Sequence, residues 1–272
     1  MLPCHYVTKT LLLCNPVTSP LILIFAFAMR YFIEFAYNGK DYCGWQFQPH
    51  SPSVQETLNK ALSILLRTEI DVVGAGRTDT GVHARQMFAH FDHDEITDTP
   101  KLVQKLNSFL PKDIVVYRFI PLHDDAHARF DAVSRTYEYH IHTYKDAFDN
   151  EGSWYNYNQL DLEKMNRAAK LLFNYTDFKC FSKTHTDVRT FNCDMKEAYW
   201  EQHGNKLVFT VSADRFLRNM VRAIVGTLVS VGLGKISIEE FAGIIESRDR
   251  NKAGFSVPAH GLYLTKVIYP YL

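Results

Sequence analysis

Ile70-Asp71-Val72-Val73-Gly74-Ala75-Gly76-Arg77-Thr78-Asp79-Thr80-Gly81-Val82-His83-Ala84-Arg85-Gln86-Met87-Phe88-Ala89-His90-Phe91 is the stretch that decides the fold. An apolar run, Ile70 to Val73, enters a glycine-rich turn. The turn leaves into a second apolar segment in which Met87, Ala89 and Phe91 alternate with Gln86, Phe88 and His90. A period of two means strand, so the turn joins two strands and does not open a helix. Phosphate-binding readings fail on spacing. A dinucleotide fingerprint needs a glycine where Asp79 stands, and a Walker loop needs Gly-Lys-Ser/Thr where Gly81-Val82-His83 stands.

Upstream, Tyr31 to Ala36 alternates as a strand, and Ser53-Val54-Gln55-Glu56 forms a capping box that opens a helical stripe of Val54, Leu58, Leu62 and Leu65. Downstream, Thr99 caps a second helix with Pro100 at its first position; Leu102, Leu106 and Leu110 line it and Pro111 stops it. Ile114 to Ile120 is a further strand. The order is β-α-β-β-α-β, the ferredoxin-like unit. The second half repeats it: strand Arg135 to Thr143, helix Leu160 to Phe173, strands Met195 to Glu201 and Leu207 to Ala213, and helix Arg215 to Val231 ending at Gly232 and Gly234. A short helix capped by Ser237, with Glu240 three residues on, and strand Leu262 to Ile268 complete it.

The expected fold is therefore α+β: two tandem ferredoxin-like halves, 29–130 with the Asp79 turn and 131–272, forming a joined antiparallel sheet with helices on one side. The open sheet face beneath the turn is the expected substrate cleft. Residues 1–28 are expected to be an extension outside the fold, with the native start at Met29. Their apolar runs, Leu11-Leu12-Leu13 and Leu21 to Ala28, are interrupted by Asn15-Pro16 and Ser19-Pro20 and are too broken to span a membrane.

The 272 residues are 46% hydrophobic, ample for a packed core, and 30 Lys and Arg balance 30 Asp and Glu. No global positive field announces a nucleic acid, so RNA contact would have to be local. Arg215, Arg218 and Arg222, and Lys179, Lys183 and Arg189, are the basic gatherings. Five cysteines without a Cys-x-x-Cys pair predict neither a disulfide framework nor a zinc site, and point to a reduced, cytoplasmic setting.

Asp79 is the candidate nucleophile, since no core packing asks for a carboxylate inside a glycine-flanked turn. Arg77, two residues before it, would share its face in an extended backbone and hold the carboxylate ionised. The plainer alternative is an Asx-turn aspartate with a structural arginine.

Gly74-Ala75-Gly76-Arg77-Thr78-Asp79-Thr80-Gly81-Val82-His83-Ala84 resembles the catalytic signature of the TruA family of tRNA pseudouridine synthases. Four further sets of residues match in order: Tyr37-Asn38-Gly39 with Gly44 to Pro49; His127 to Phe130 with Arg135 to Tyr139; Phe216 to Arg222; and Pro258 to Leu264. Departures are Asn38 where Asp is usual, Asn174 to Phe178 without the usual Gly and His, and Phe255-Ser256-Val257 in place of a Pro/Thr-containing run. The resemblance implies an isomerase acting on uridines 38, 39 and 40 of the tRNA anticodon stem-loop, with Asp79 catalytic and Arg77, Tyr137 and Arg222 at the substrate. It implies a homodimer in which one tRNA touches both subunits, and a reaction that calls for no metal or cofactor.

Two other classes remain. A metal-dependent hydrolase is suggested by His90-Phe91-Asp92-His93-Asp94 and His123-Asp124-Asp125-Ala126-His127, although His90 and His93 would leave a strand on opposite faces. A non-catalytic RNA-binding module would use the same kind of sheet with exposed aromatics, but has no need of Asp79.

Overall fold

The computed structural model describes residues 28–184 and 188–272; the expected extension therefore lies, Ala28 apart, outside the described residues. The first half comprises β1 (Met29–Tyr37), α1 (Val54–Leu66), β2 (Val73–Gly74), β3 (His83–His93), α2 (Thr99–Phe109) and β4 (Ile114–Leu122). The second comprises β5 (Ser134–His142), β6 (Trp154–Tyr155), α3 (Leu162–Lys170), β7 (Met195–His203), β8 (Lys206–Ala213), α4 (Met220–Gly232), α5 (Ile238–Ser247) and β9 (Leu262–Ile268). The α+β class is as the alternation of patterns predicts.

One mixed sheet runs β4-β1-β3-β9-β5-β8-β7, with β2 added on β3 and β6 on β5. The edge of β3 is shared. β2 pairs antiparallel with its far end, Val73 opposite His90, whereas β9 pairs parallel with its near end, His83 opposite Tyr263 and Ala84 opposite Leu264. The joint between the halves is thus parallel, which corrects the expectation of an antiparallel sheet throughout. The reason is that β2 is only two residues long, so the beginning of β3 keeps an unpaired edge that must find hydrogen bonds elsewhere.

The apolar residues gather in two clusters, the first drawing in Leu264, Val267 and Tyr269 from the end of the chain and the second drawing in Val82. One holds Phe32, Phe35, Trp45, Leu58, Leu62, Met87 and Leu106; the other holds Tyr139, Met165, Phe181, Phe209, Ile224 and Leu228. Tyr137 touches both, which fixes it at the seam. α4 is buried almost all round, as a helix without a polar stripe should be.

Several local expectations shift. Ser53 caps α1 by accepting from Glu56 N, but the Glu56 carboxylate turns to Lys60 at 2.7 Å, so the reciprocal half of the box is missing there. Both halves of the box form at Ser237 and Glu240. Asp98, not Thr99, caps α2, accepting from Lys101 N, an equally suitable oxygen acceptor one residue earlier. α3 starts after its cap Asp161 and tightens into a 3-10 turn at Leu171–Asn174. α4 begins five residues later than the pattern predicts, because Asn219 adopts a left-handed φ of 66° that no continuing helix accommodates. Arg215 to Arg218 consequently form a loop.

Candidate active site

Asp79 lies in the loop between β2 and β3, and the loop is fastened by its backbone. Trp45 N donates to Thr78 O at 3.4 Å, Gly81 N to Tyr42 O at 3.3 Å, and Val82 N to Asp79 O at 3.1 Å. The Thr78 hydroxyl meets the Tyr37 hydroxyl at 2.9 Å. Gly44 makes this approach possible: its φ is +90°, and a Cβ there would stand 2.3 Å from Thr78 O. Below the loop, Gly39 N donates to His83 Nδ1 at 3.0 Å, which leaves the proton on Nε2 to donate to His260 O at 3.0 Å. Burial lowers the His83 pKa, in keeping with a neutral ring that bridges the two halves.

With its backbone so committed, Asp79 presents its side chain outward. The carboxylate accepts no backbone N–H among the described residues, so the Asx-turn alternative has no hydrogen bond to rest on. Its partners are two arginines around the start of α4: Arg222 Nη1 stands 3.5 Å from Oδ2 and Arg218 Nε 3.8 Å from Oδ1. Arg222 is the third residue of α4, and its Nε donates to Val257 O at 2.7 Å, so the guanidinium is aimed from two sides. Tyr137, which packs against both apolar clusters, lies close enough to feel the charge of Asp79.

The structure brings Asp79 and Arg222 together but sends Arg77 elsewhere. Arg77 is exposed and donates from Nε to Gln46 Oε1 at 3.2 Å. No ion pair joins Arg77 to Asp79 among the described residues. Arg218 takes the second place beside the carboxylate. In the sequence it was one member of a basic group and of the matched run Phe216 to Arg222, four residues before Arg222, with no role assigned to it.

Tyr137 lies nearby, its ring meeting Phe216 edge to face at 5.2 Å. Its phenol is pushed up to about 12, first by burial and further by the charge of Asp79, with Arg135 pulling the other way. The hydroxyl is therefore a proton donor in neutral solution.

The histidine clusters do other work. His90 Nδ1 accepts from Ala128 N at 3.1 Å, His127 Nδ1 accepts from Arg129 N at 3.1 Å, and His123 pairs with Asp125. No three His, Cys, Asp or Glu side chains converge on a metal-sized space among the described residues. No helix of the described residues is long and apolar enough to cross a membrane.

An α+β platform carrying an arginine-braced carboxylate is the arrangement that the sequence resemblance to the pseudouridine synthases, a class of RNA-modifying isomerases, implies. Comparison with known proteins narrows this. A family model described as tRNA pseudouridine synthase matches residues 168–270. Over 242 residues the chain is 56% identical to tRNA pseudouridine synthase A of Parabacteroides distasonis, covering 89% of this chain and 96% of that one. It is 55% identical to the protein of that name from Porphyromonas gingivalis over 246 residues, 89% of this chain and 97% of the other. For the one from Francisella tularensis subsp. novicida the figure is 38% over 244 residues, 89% and 94% of the two chains. The chain belongs to the tRNA pseudouridine synthase A family, and is an isomerase of that kind.

Proposed function

We propose that this isomerase converts uridine to pseudouridine at positions 38, 39 and 40 of the tRNA anticodon stem-loop, with Asp79 as nucleophile. The observation that carries the reading is a carboxylate with no backbone hydrogen bond, held on a fastened loop and faced by Arg222 and Arg218 at 3.5 and 3.8 Å.

The reaction is an isomerisation. The bond from ribose C1′ to uracil N1 breaks, the base turns, C5 joins C1′, and the proton lost from C5 is balanced by one gained at N1. Asp79 takes part by attack at C1′ or at C6 of the base, and both routes need an ionised carboxylate. The target base must leave its stack, at a cost of a few kcal/mol, and stacking on an aromatic face returns about 1–3 kcal/mol per base. Tyr137 supplies that face, and Arg222 steadies the charge on Asp79. Arg77, exposed at the rim, is assigned to the RNA backbone. The reading includes a homodimer, a cytoplasmic location, and a division of the chain at 130/131.

The test is conversion of unmodified tRNA, with pseudouridine mapped by chemical sequencing. Asp79→Asn is expected to abolish conversion while leaving tRNA affinity within about threefold. Conversion by that variant, or product outside positions 38 to 40, overturns the corresponding part of the reading. A non-catalytic binder would make no product with either protein.

A further inference from the structure

Arg135, the second residue of β5, has no ion-pair partner within 4.0 Å among the described residues, yet all four hydrogen bonds of its guanidinium end on backbone carbonyls of separate positions. Nη1 donates to Ala132 O at 3.1 Å and to Asp214 O at 2.8 Å; Nη2 donates to Ala75 O at 2.9 Å and to Arg129 O at 2.6 Å. Ala75 and Asp214 are telling. Ala75 precedes Asp79 by four residues, and Asp214 precedes Arg218 by four.

We propose that Arg135 is a positioning residue of the isomerase, a planar fork that ties the base of the loop bearing Asp79 to the loop that leads through Arg218 into α4, so that the carboxylate and Arg222 meet in register across the seam. The inference rests on the reading of Asp79 as the reacting carboxylate.

Each attachment point is itself rigid. Ala75 N donates to Phe88 O at 2.7 Å, which ties the base of the Asp79 loop to β3. The Asp214 carboxylate accepts from Asp194 N at 2.7 Å and Arg215 N at 2.8 Å, which stiffens the turn out of β8. The connector between the halves is gathered at the same fork through Arg129 O and Ala132 O. A displacement of the fork therefore moves both loops relative to each other instead of dissipating in one.

Chemistry points to arginine specifically. A guanidinium places its donors in a fixed plane, whereas a lysine ammonium has three donors on one atom and cannot span four carbonyls. Burying a cation without an anion costs free energy, and here only carbonyl dipoles offset it. Burial accordingly lowers the Arg135 pKa, and its charge in turn opposes the upward shift of Tyr137, so its field reaches the site.

The experiment uses the full chain with Arg135→Lys and Arg135→Ala. Single-turnover conversion is followed with saturating enzyme in excess over unmodified tRNA, so that the rate constant does not depend on the folded fraction. Filter binding gives tRNA affinity. Both variants are expected to slow the single turnover by about 10²-fold, the order of loss from an ångström-scale misplacement, with affinity within about threefold. Methylguanidinium at a non-denaturing concentration is expected to restore at least about tenfold of the rate in Arg135→Ala, and methylammonium to restore none.

A parent rate in Arg135→Lys, rescue by methylammonium as good as by methylguanidinium, or a loss confined to tRNA affinity overturns the proposal. If Arg135→Ala does not fold, the rate of Arg135→Lys decides. Asp79→Asn run in parallel separates the two readings. If it converts at the parent rate, the Asp79 assignment falls; if it is inactive while Arg135→Lys is unimpaired, only the role of Arg135 falls.

Discussion

Arg222 reaches Asp79 with Nη1 at 3.5 Å while its own Nε is committed to Val257 O at 2.7 Å. The separation is that of an ion pair without a tight hydrogen bond, so the carboxylate keeps lone pairs for a substrate atom. The Arg222 backbone is held as well, its carbonyl accepting from Val257 N at 3.3 Å. Side-chain and main-chain anchors to one residue give the guanidinium little freedom. Arg218 differs: its side chain is 59% exposed against 20% for Arg222, and solvent screens it.

That contrast predicts unequal roles. Arg222→Met is expected to slow single-turnover conversion by about 10²–10³-fold, the range for removing one preorganised charge-stabilising donor. Arg222→Lys, which keeps charge but not the tie to Val257, should lie between it and the parent. Arg218→Met should change the rate less than about threefold and instead weaken tRNA binding in a salt-dependent way, as expected for a phosphate contact. Rate constants and affinities at two salt concentrations check this; equal rate losses at the two positions would count against it.

Much of this arrangement was legible in the sequence where a local rule governs. β9 runs from Leu262 to Ile268 as its alternation predicts, and Val54 and Leu58 bury one face of α1 as their spacing predicts. Asp79 and Arg222 do meet. What escaped was set by contacts between distant segments. The parallel joint depends on an edge that β2 leaves unpaired, and the length of β2 is a tertiary outcome. Arg77 was placed beside Asp79 by local alternation, whereas its observed partner is Gln46, 31 residues away in sequence. Arg218 was hidden because the apolar spacing of Arg215 to Val231 reads as one helix, and nothing local announces that Asn219 turns left-handed. Arg135 was legible as the start of a strand, but four carbonyl partners from separate positions leave no trace in spacing.

Tyr137 separates stacking from proton transfer. A phenol pushed up to about 12 by burial stays protonated up to about pH 10, so it acts in neutral solution as a stacking face and a donor, not as an ionised base. Tyr137→Phe keeps the ring and its edge contact with Phe216. It is expected to hold tRNA affinity within about threefold and to show no change in the shape of the pH–rate profile between pH 7 and 10. Tyr137→Leu loses the π face and is expected to weaken binding by about 1–3 kcal/mol, the worth of one stacked base. Binding and single-turnover measurements on the two variants check this; a step near pH 8 or 9 that disappears in Tyr137→Phe would refute it.

His90 makes the fold sensitive to acid. Its ring is buried, stacks on Phe32 at 5.9 Å and meets His127 at 4.6 Å, and its Nδ1 accepts from Ala128 N. Burial first, then the neighbouring His127 and Arg30, lowers its pKa to about 4. His83, His127 and His260 are lowered too, each mainly by burial. An unfolded histidine titrates near 6.5, so above that pH both states are neutral and the group does not affect stability. As pH falls from about 6.5 towards 4 the unfolded chain takes up a proton that the folded chain refuses, and the folded state loses stability. For His90 the loss is bounded at about 3.5 kcal/mol, from about 1.4 kcal/mol for each pKa unit. Urea denaturation is therefore expected to give a flat stability between about pH 7 and 8 and a decline below pH 6. His90→Asn retains an acceptor for Ala128 N without the titration, so its profile should decline less steeply over the same interval. Parallel profiles for parent and variant would show that His90 does not contribute to the acid sensitivity.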